Sequence, residues 1–126
     1  ANYVGLSGHV TIEDRAVIGG LSGIHQHARV GFLSIIGGCS KVNQDVPPYC
    51  MVDGNPATLR TLNVVGLKRA GISSQTSLAL RRAIKILFTS GLARTNALAQ
   101  VKEQMADIPE VQRLIGFVEN SKRGIS

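Results

Sequence analysis

The stretch LSGHVTIEDRAVIGGLSGIHQHARVGFLSIIGGCSKV, residues 6–42, repeats with a period of six. An aliphatic residue fills every sixth position: Leu6, Ile12, Ile18, Ile24, Val30, Ile36 and Val42. A small or branched residue follows four positions after each: Val10, Ala16, Ser22, Ala28, Ser34, Ser40 and Val46. A period of six fits neither the 3.6-residue turn of a helix nor the alternation of a strand. It is typical of a parallel β-helix, in which short strands are joined by tight corners.

The repeat also predicts which residues stack. If three hexapeptides form one triangular coil, residues 18 apart lie about 4.8 Å from each other, one inter-strand spacing. The predicted internal ladders are Leu6 on Ile24 on Val42, Ile12 on Val30, and Ile18 on Ile36. Glycine follows the aliphatic residue at Gly19, Gly31 and Gly37, where we expect either a positive φ or a close approach of two backbones.

Composition sets further expectations. Apolar residues make up 44% of the 126 residues but aromatic residues only 4%, which favours a core of small aliphatic side chains. No run of 18 apolar residues and no signal-peptide pattern occurs, so we expect a cytoplasmic protein with no stable membrane insertion. Cys39 and Cys50 have neither disulfide-framework nor zinc-site spacing, and we expect both to be reduced, unpaired and buried.

The repeat holds little more than two coils and starts at Ala1 without a capping segment. Because fewer than about three repeat units rarely fold alone, we expect this chain to be the C-terminal part of a longer β-helix. We divide it into β-helix coils over residues 1–50, a connector over 51–72 and a helical domain over 73–126. Two prolines in Val46-Pro47-Pro48-Tyr49 end the repeat, and Asp53-Gly54-Asn55-Pro56 predicts a turn.

After a short strand expected at Thr61–Val65, the period changes to that of helices. Ser73 or Ser74 is expected to cap the first helix, which ends at Gly91 and carries Leu80, Ile84, Leu87 and Phe88 on one face. Thr95 is expected to cap the second helix, which carries Leu98, Val101 and Met105. Pro109 is expected to open the third, with Val111, Leu114, Ile115 and Val118.

The net charge of +6 comes from the middle of the chain. Residues 60–94 contain no acidic residue and seven basic ones: Arg60, Lys68, Arg69, Arg81, Arg82, Lys85 and Arg94. Such a segment attracts an anionic substrate or an acidic protein, or forms a solvated helix face. No aromatic stacking platform or nucleic-acid motif accompanies the charges, so we predict no nucleic-acid partner.

Three histidines lie within the repeat. His9 and His27 are 18 apart and should stack, with Asp45 one coil further on. A metal site can be imagined there, but outward-facing polar residues often stack in this way, and we predict no metal. A neutral imidazole near pH 7 is also a natural acceptor for the proton of a hydroxyl group.

Several linked motifs resemble the C-terminal half of the UDP-N-acetylglucosamine O-acyltransferase family, whose members start lipid A synthesis. They are LSGHV at 6–10, IGGLSGIHQ at 18–26, GGCS at 37–40, QDVPPY at 44–49, GNPA at 54–57, NVVGLKR at 63–69 and SKRG at 121–124. The resemblance implies a left-handed parallel β-helix with a C-terminal helical bundle. It also implies a homotrimer with active sites between subunits and no cofactor.

In that family, the 3-hydroxyl of UDP-N-acetylglucosamine attacks a 3-hydroxyacyl thioester on acyl carrier protein while a histidine takes its proton. The resemblance assigns the oxyanion-binding N–H to Gly8 and substrate contacts to His9, His25 and Gln26. It places Gly38 along the acyl groove, and Asn63 and Arg69 at the nucleotide. The general-base histidine would lie about one coil before His9 and is therefore not expected in this chain.

Three departures from the family pattern leave alternatives open. Val65 stands where the family usually has a carboxylate, Ala70 replaces a basic residue beside Arg69, and His27-Ala28 replaces a more apolar pair. Another hexapeptide-class acyl- or acetyltransferase acting on a nucleotide amino sugar fits the same pattern, as does a non-catalytic trimeric scaffold.

Overall fold

A computed structural model describes all 126 residues, and its first part is a parallel β-helix. Seven two-residue strands recur every six residues: β1 (Gly5–Leu6), β2 (Thr11–Ile12), β3 (Val17–Ile18), β4 (Gly23–Ile24), β5 (Arg29–Val30), β6 (Ile35–Ile36) and β7 (Lys41–Val42). They form three parallel sheets in the orders β1-β4-β7, β2-β5 and β3-β6. All three predicted ladders are confirmed, since each aliphatic residue pairs with the one 18 positions later.

At the corners of the coils, the residues that take a positive φ are not the glycines expected from the sequence. A positive φ recurs every six residues, and none of the residues that adopt it is glycine: Tyr3, His9, Arg15, Leu21, His27, Leu33 and Cys39. The expectation of a positive φ at Gly19, Gly31 and Gly37 is therefore wrong. The alternative, close packing, is confirmed: a Cβ on Gly31 would lie 2.5 Å from the backbone nitrogen of Pro48.

A β-hairpin and a short helix follow the coils. Strand β8 (Cys50–Gly54) pairs parallel to β6 and antiparallel to β9 (Ala57–Leu62), with the predicted turn between them. Helix α1 spans Val64–Arg69, so the strand expected at Thr61–Val65 is wrong beyond Leu62. The strand ends there because the Oδ1 atom of Asn63 accepts a hydrogen bond from the Gly66 N–H at 3.1 Å and caps α1.

Three longer helices complete the fold. Helix α2 (Ser74–Ile84) is capped by Ser73, whose Oγ accepts from the Thr76 N–H at 3.1 Å, and continues as a π-helical turn over Lys85–Thr89. Helix α3 (Arg94–Met105) begins one residue before Thr95 without a side-chain cap, so the predicted Thr95 cap is wrong. Helix α4 (Pro109–Glu119) opens with proline as predicted. A membrane-spanning segment is not found among the helices, all of which fall short in length and hydropathy.

Two apolar cores result. Eight buried residues fill the β-helix, and sixteen join α1–α4 to the end of the β-helix through residues that include Leu33, Tyr49 and Cys50. Both cysteines are free, as expected. The expected burial of both is wrong for Cys39, which is exposed at a corner of the β-helix that no helix covers.

The last residues of the chain return to the β-helix. The Asp45 N–H donates to the Gly124 carbonyl, and the Ser126 N–H donates to the Asp45 carbonyl, both at 2.9 Å. The buried Asp45 carboxylate accepts from the Ser121 hydroxyl at 2.6 Å and from the Arg29 N–H at 2.8 Å. These bonds lay the C-terminal segment, residues 120–126, along the third coil.

Candidate active site

The predicted site residues lie at three different corners of one chain. The histidine corner, residues 7–10 and 25–28, joins the β1-β4-β7 sheet to the β2-β5 sheet. The arginine corner, 13–16 and 31–34, joins β2-β5 to β3-β6, and the glycine corner, 19–22 and 37–40, joins β3-β6 back to β4 and β7. Because the corners of a triangular coil point apart, one chain does not bring all of these residues together.

At the histidine corner, His9 and His27 both have a positive φ and exposed side chains. Their rings are parallel within 5°, and their centroids lie 5.0 Å apart, which confirms the predicted stack. Histidine is among the residues that adopt this backbone conformation more readily than most. The prediction that Asp45 continues this stack is wrong, because the pairing of Val46 with Val30 places Asp45 opposite Arg29 and not opposite His27. Its carboxylate accepts from the Arg29 N–H and the Ser121 hydroxyl. No three His, Cys, Asp or Glu side chains are arranged to hold a metal ion.

Gly8 presents an unused hydrogen-bond donor beside these rings. Its carbonyl accepts from the His27 N–H at 3.3 Å, whereas its own N–H donates to no acceptor in the chain. The residue is exposed, and no atom lies within 4 Å of where a Cβ would be. The Gln26 N–H, one coil further on, is also unused, so a free donor at this position belongs to the corner geometry. Such a donor can stabilise a developing oxyanion.

His25 lies on the outer face of the β1-β4-β7 sheet, where it lines a cavity of about 350 Å³ with Ser7 and Lys41. Its Nδ1 atom is 3.1 Å from the Nη2 atom of Arg123 in the C-terminal segment. Sequence reasoning did not single out Lys41 or Arg123 as site residues. The 18-residue spacing of Lys41 from Gly23 would have placed Lys41 on this face, but no local signal predicts a contact between residues 98 apart.

A second cavity, of about 210 Å³, lies at the arginine corner and brings Asn63 and Arg69 together with Arg15. Asn63 is buried, and besides capping α1 its Nδ2 atom donates to the Leu33 carbonyl at 2.9 Å. Its visible role is therefore to hold α1 on this corner, and α1 in turn positions Arg69. Arg15 was missed by the sequence reasoning, although its positive φ follows from the same six-residue period. Two guanidinium groups suit a phosphate.

The remaining predicted position, Gly38, is exposed at the glycine corner. A Cβ there would make only ordinary contact, 3.4 Å from the Gly20 carbonyl oxygen, so a larger residue would extend into solvent. The two groups with clearly shifted pKa values lie outside all three corners. Burial in the core between the β-helix and the helices raises the pKa of Tyr49 to about 12 and raises the pKa of the Cys50 thiol.

The hexapeptide coils place this chain in the class of parallel β-helix proteins built from hexapeptide repeats. At one corner of its coils, exposed histidines lie beside a free N–H donor. Residues 45–126 match the sequence profile of a family described as UDP-N-acetylglucosamine O-acyltransferase, domain 2. The chain belongs to this family.

Individual relatives agree with this assignment. The chain is 43% identical over 126 residues to an acyl-[acyl-carrier-protein]–UDP-N-acetylglucosamine O-acyltransferase from Anaeromyxobacter sp. strain K, covering 100% of this chain and 49% of the relative. The solved structure of LpxA from Acinetobacter baumannii superposes with a TM-score of 0.95 at 45% identity, covering 99% of this chain and 49% of that chain. UDP-N-acetylglucosamine O-acyltransferase (LpxA) from Moraxella catarrhalis gives a TM-score of 0.95 at 42% identity, with the same coverage. The chain thus spans about half the length of the relatives it matches.

Proposed function

We propose that this chain forms the C-terminal part of an acyltransferase that moves a 3-hydroxyacyl group from acyl carrier protein to the 3-hydroxyl of UDP-N-acetylglucosamine. The observation that carries the proposal is the free, exposed N–H of Gly8 beside His9. An acyl transfer needs such a donor where negative charge develops on the thioester oxygen.

In the proposed reaction the sugar hydroxyl attacks the thioester carbon while a base removes the hydroxyl proton. The Gly8 N–H holds the resulting oxyanion, and collapse of the tetrahedral intermediate breaks the carbon–sulfur bond. The departing thiolate takes the proton back from the base, so that no covalent enzyme intermediate forms. We assign the base to a histidine in a coil stacked before His9, and we assign His9, His25 and Gln26 to substrate contacts.

The distribution of the site over three corners supports a homotrimer with sites between subunits. A histidine corner of one subunit facing another corner of its neighbour would complete a site that one chain leaves divided. In this arrangement the cavity at the arginine corner holds the nucleotide, with Arg69 and Arg15 on the phosphates and Asn63 fixing α1. Gly38 lines the acyl groove. Val65 and Ala70 supply no charge to the nucleotide.

The exposed basic face of the helices supports docking of an acidic carrier protein. Lys68, Arg81, Arg82 and Lys85 are all exposed, and no acidic residue lies between positions 60 and 94. Complementary charge of this kind mainly raises association rates, so carrier binding should weaken with salt. We place this reaction in the cytoplasm.

The test compares three proteins in acyl transfer from acyl carrier protein. They are the 126-residue chain, its His9→Ala variant, and the chain preceded by the matching upstream coils of the Anaeromyxobacter relative. Because a general base contributes typically 10²- to 10⁴-fold, we expect the unextended chain to be at least about 10²-fold slower than the extended one.

Comparable rates for the short and extended chains would place the base within residues 1–126 and contradict the assignment. A loss of kcat in the short chain's His9→Ala variant with KM unchanged would identify His9 as a substitute base, whereas a rise in KM alone would agree with its assignment to substrate contacts. Preference of the extended chain for an acetyl thioester of coenzyme A would favour the alternative acetyltransferase. No transfer from any donor would favour the non-catalytic scaffold.

A further inference from the structure

Arg123 is held rigidly in the C-terminal segment. Its Nε and Nη2 atoms donate to the Asn43 carbonyl at 3.2 and 3.1 Å. Its own carbonyl accepts from the side-chain amide of Gln44 at 3.1 Å. The neighbouring backbone bond from Asp45 to Gly124 fixes the segment on the third coil. The direction in which the guanidinium group points is therefore set by the fold and not by free rotation of the side chain.

This guanidinium group meets the ring of His25. Its Nη2 atom lies 3.1 Å from Nδ1. A guanidinium group carries only donors, so Nδ1 must accept and the ring proton must sit on Nε2. A doubly protonated imidazole would set an N–H against the guanidinium N–H, so the contact also requires a neutral ring.

A second neighbour competes for the same nitrogen. The Gln26 carbonyl oxygen lies 3.3 Å from Nδ1 and would favour the opposite tautomer, in which Nδ1 donates. The Arg123 contact is shorter and charge-assisted, whereas the contact to the adjacent carbonyl is long and neutral. The balance between these two neighbours decides which nitrogen of His25 carries the proton.

We propose that Arg123 is a positioning residue that holds His25 as the neutral Nε2–H tautomer. In this state Nε2 is a hydrogen-bond donor, suited to a carbonyl or phosphate oxygen of a substrate bound at the sheet face. It has no lone pair with which to accept the hydroxyl proton. His25 therefore binds substrate and is not the general base. This consequence for catalysis rests on the proposed function, whereas the tautomer itself does not.

The tautomer is measured by nitrogen NMR of the protein labelled with ¹⁵N-histidine, at a pH where imidazoles are neutral. The His25 signals are assigned from a His25→Ala variant. We expect a protonated-type shift at Nε2 and an unprotonated-type shift at Nδ1. In Arg123→Gln we expect the ratio of the Nε2–H to the Nδ1–H tautomer to fall by about three- to tenfold, because one charge-assisted hydrogen bond is lost. Arg123→Lys, which keeps a charged donor, should recover part of this change.

Two control variants test whether a change in the His25 tautomer ratio comes from loss of the Arg123 contact or from any change in the C-terminal segment. Lys122→Gln removes a neighbouring charge, and Ser126→Ala removes a bond from the segment to the Gln44 carbonyl; neither residue is hydrogen-bonded to His25. Both should leave the His25 spectrum unchanged. An Nδ1–H tautomer in the unmodified protein, or the same spectrum in Arg123→Gln, would overturn the proposal. So would a shift of equal size in Lys122→Gln or Ser126→Ala.

The tautomer ratio and acyl transfer are separate measurements, so the role of Arg123 and the proposed function can fail independently. If the extended chain transfers no acyl group but the tautomer ratio responds to Arg123 as expected, the proposed function fails and the positioning of His25 stands. If transfer is active and the ratio does not respond, only the role of Arg123 fails.

Discussion

In the β-helix, eight buried residues form a core one side chain wide, whereas sixteen buried residues form the core beneath the helices. Burial in the β-helix depends on the neighbouring coil. Leu6 and Ile24 belong to the same ladder, yet Leu6 is 53% exposed and Ile24 only 2%. In the helical region, by contrast, α2, α3 and α4 cover one another. An apolar side chain of the repeat is therefore buried only when another coil stacks on it. The apolar face of an amphipathic helix, in contrast, is buried by packing against several elements at once.

The largest expected difference is between the alkylation rates of the two cysteines. Cys39 is exposed at a corner, whereas Cys50 is fully buried and burial raises the pKa of its thiol. Because the thiolate is the reactive form and Cys50 must first be uncovered, we expect alkylation of Cys50 to be at least about 10³-fold slower than that of Cys39.

Mass spectrometry of a time course with iodoacetamide, without reductant, measures the two rates, and denatured protein is the control in which both thiols react. Equal rates in the folded protein would contradict the assignment of Cys50 to the core, and absence of free thiols would contradict the unpaired state.

Within the helices, Leu80→Ala tests the larger core. Leu80 is fully buried on α2, so its truncation should lower the free energy of unfolding by about 2–5 kcal/mol. Leu78, on the same helix, is 63% exposed, and Leu78→Ala should change stability by less than about 0.5 kcal/mol. Urea unfolding of both variants measures the difference. Similar losses for the two would mean that the buried face of α2 is misassigned.

The narrow core of the β-helix is tested by glycine substitutions. A Cβ at Gly31 would collide with the Pro48 backbone, so Gly31→Ala should cost about 1–3 kcal/mol. Gly23 has no atom within 4 Å of a Cβ position, and Gly23→Ala should be neutral or stabilising by up to about 1 kcal/mol through the unfolded state. The same unfolding assay compares them. A neutral Gly31→Ala would show that adjacent coils can separate without cost.

The sequence predicted the ladders as far as Val42, because a strict six-residue period sets one register for all pairs 18 apart. Beyond Val42 the period is lost and the spacing shortens to 16, as in the pairing of Ile36 with Val52. The sequence did not predict which corner residues take a positive φ. His9, Arg15 and Leu33 accept a conformation that glycine would adopt more easily, because the chain must turn at the same point of every coil to keep its strands stacked. Threonine often caps helices, but Thr95 does not cap α3, because the helix begins one residue earlier.

The candidate site also contains some relations that could be expected from the sequence and others that only the structure showed. The stack of His9 on His27 follows from spacing alone, and resemblance led to Gly8, His25 and Arg69. Neither spacing nor resemblance showed that Asn63 caps α1, or that Arg15 joins Arg69 in one cavity. These relations depend on how α1 and the hairpin pack against the arginine corner.

By itself, the sequence determined the β-helix, its register and the helical end, because each depends on periodicity along the chain. Only the tertiary structure decided that the C-terminal segment returns to the third coil and places Arg123 beside His25. That contact joins residues 98 positions apart through bonds to Asn43, Gln44 and Asp45. A local pattern carries no information about such a contact, because its energy appears only after the coils and helices have packed.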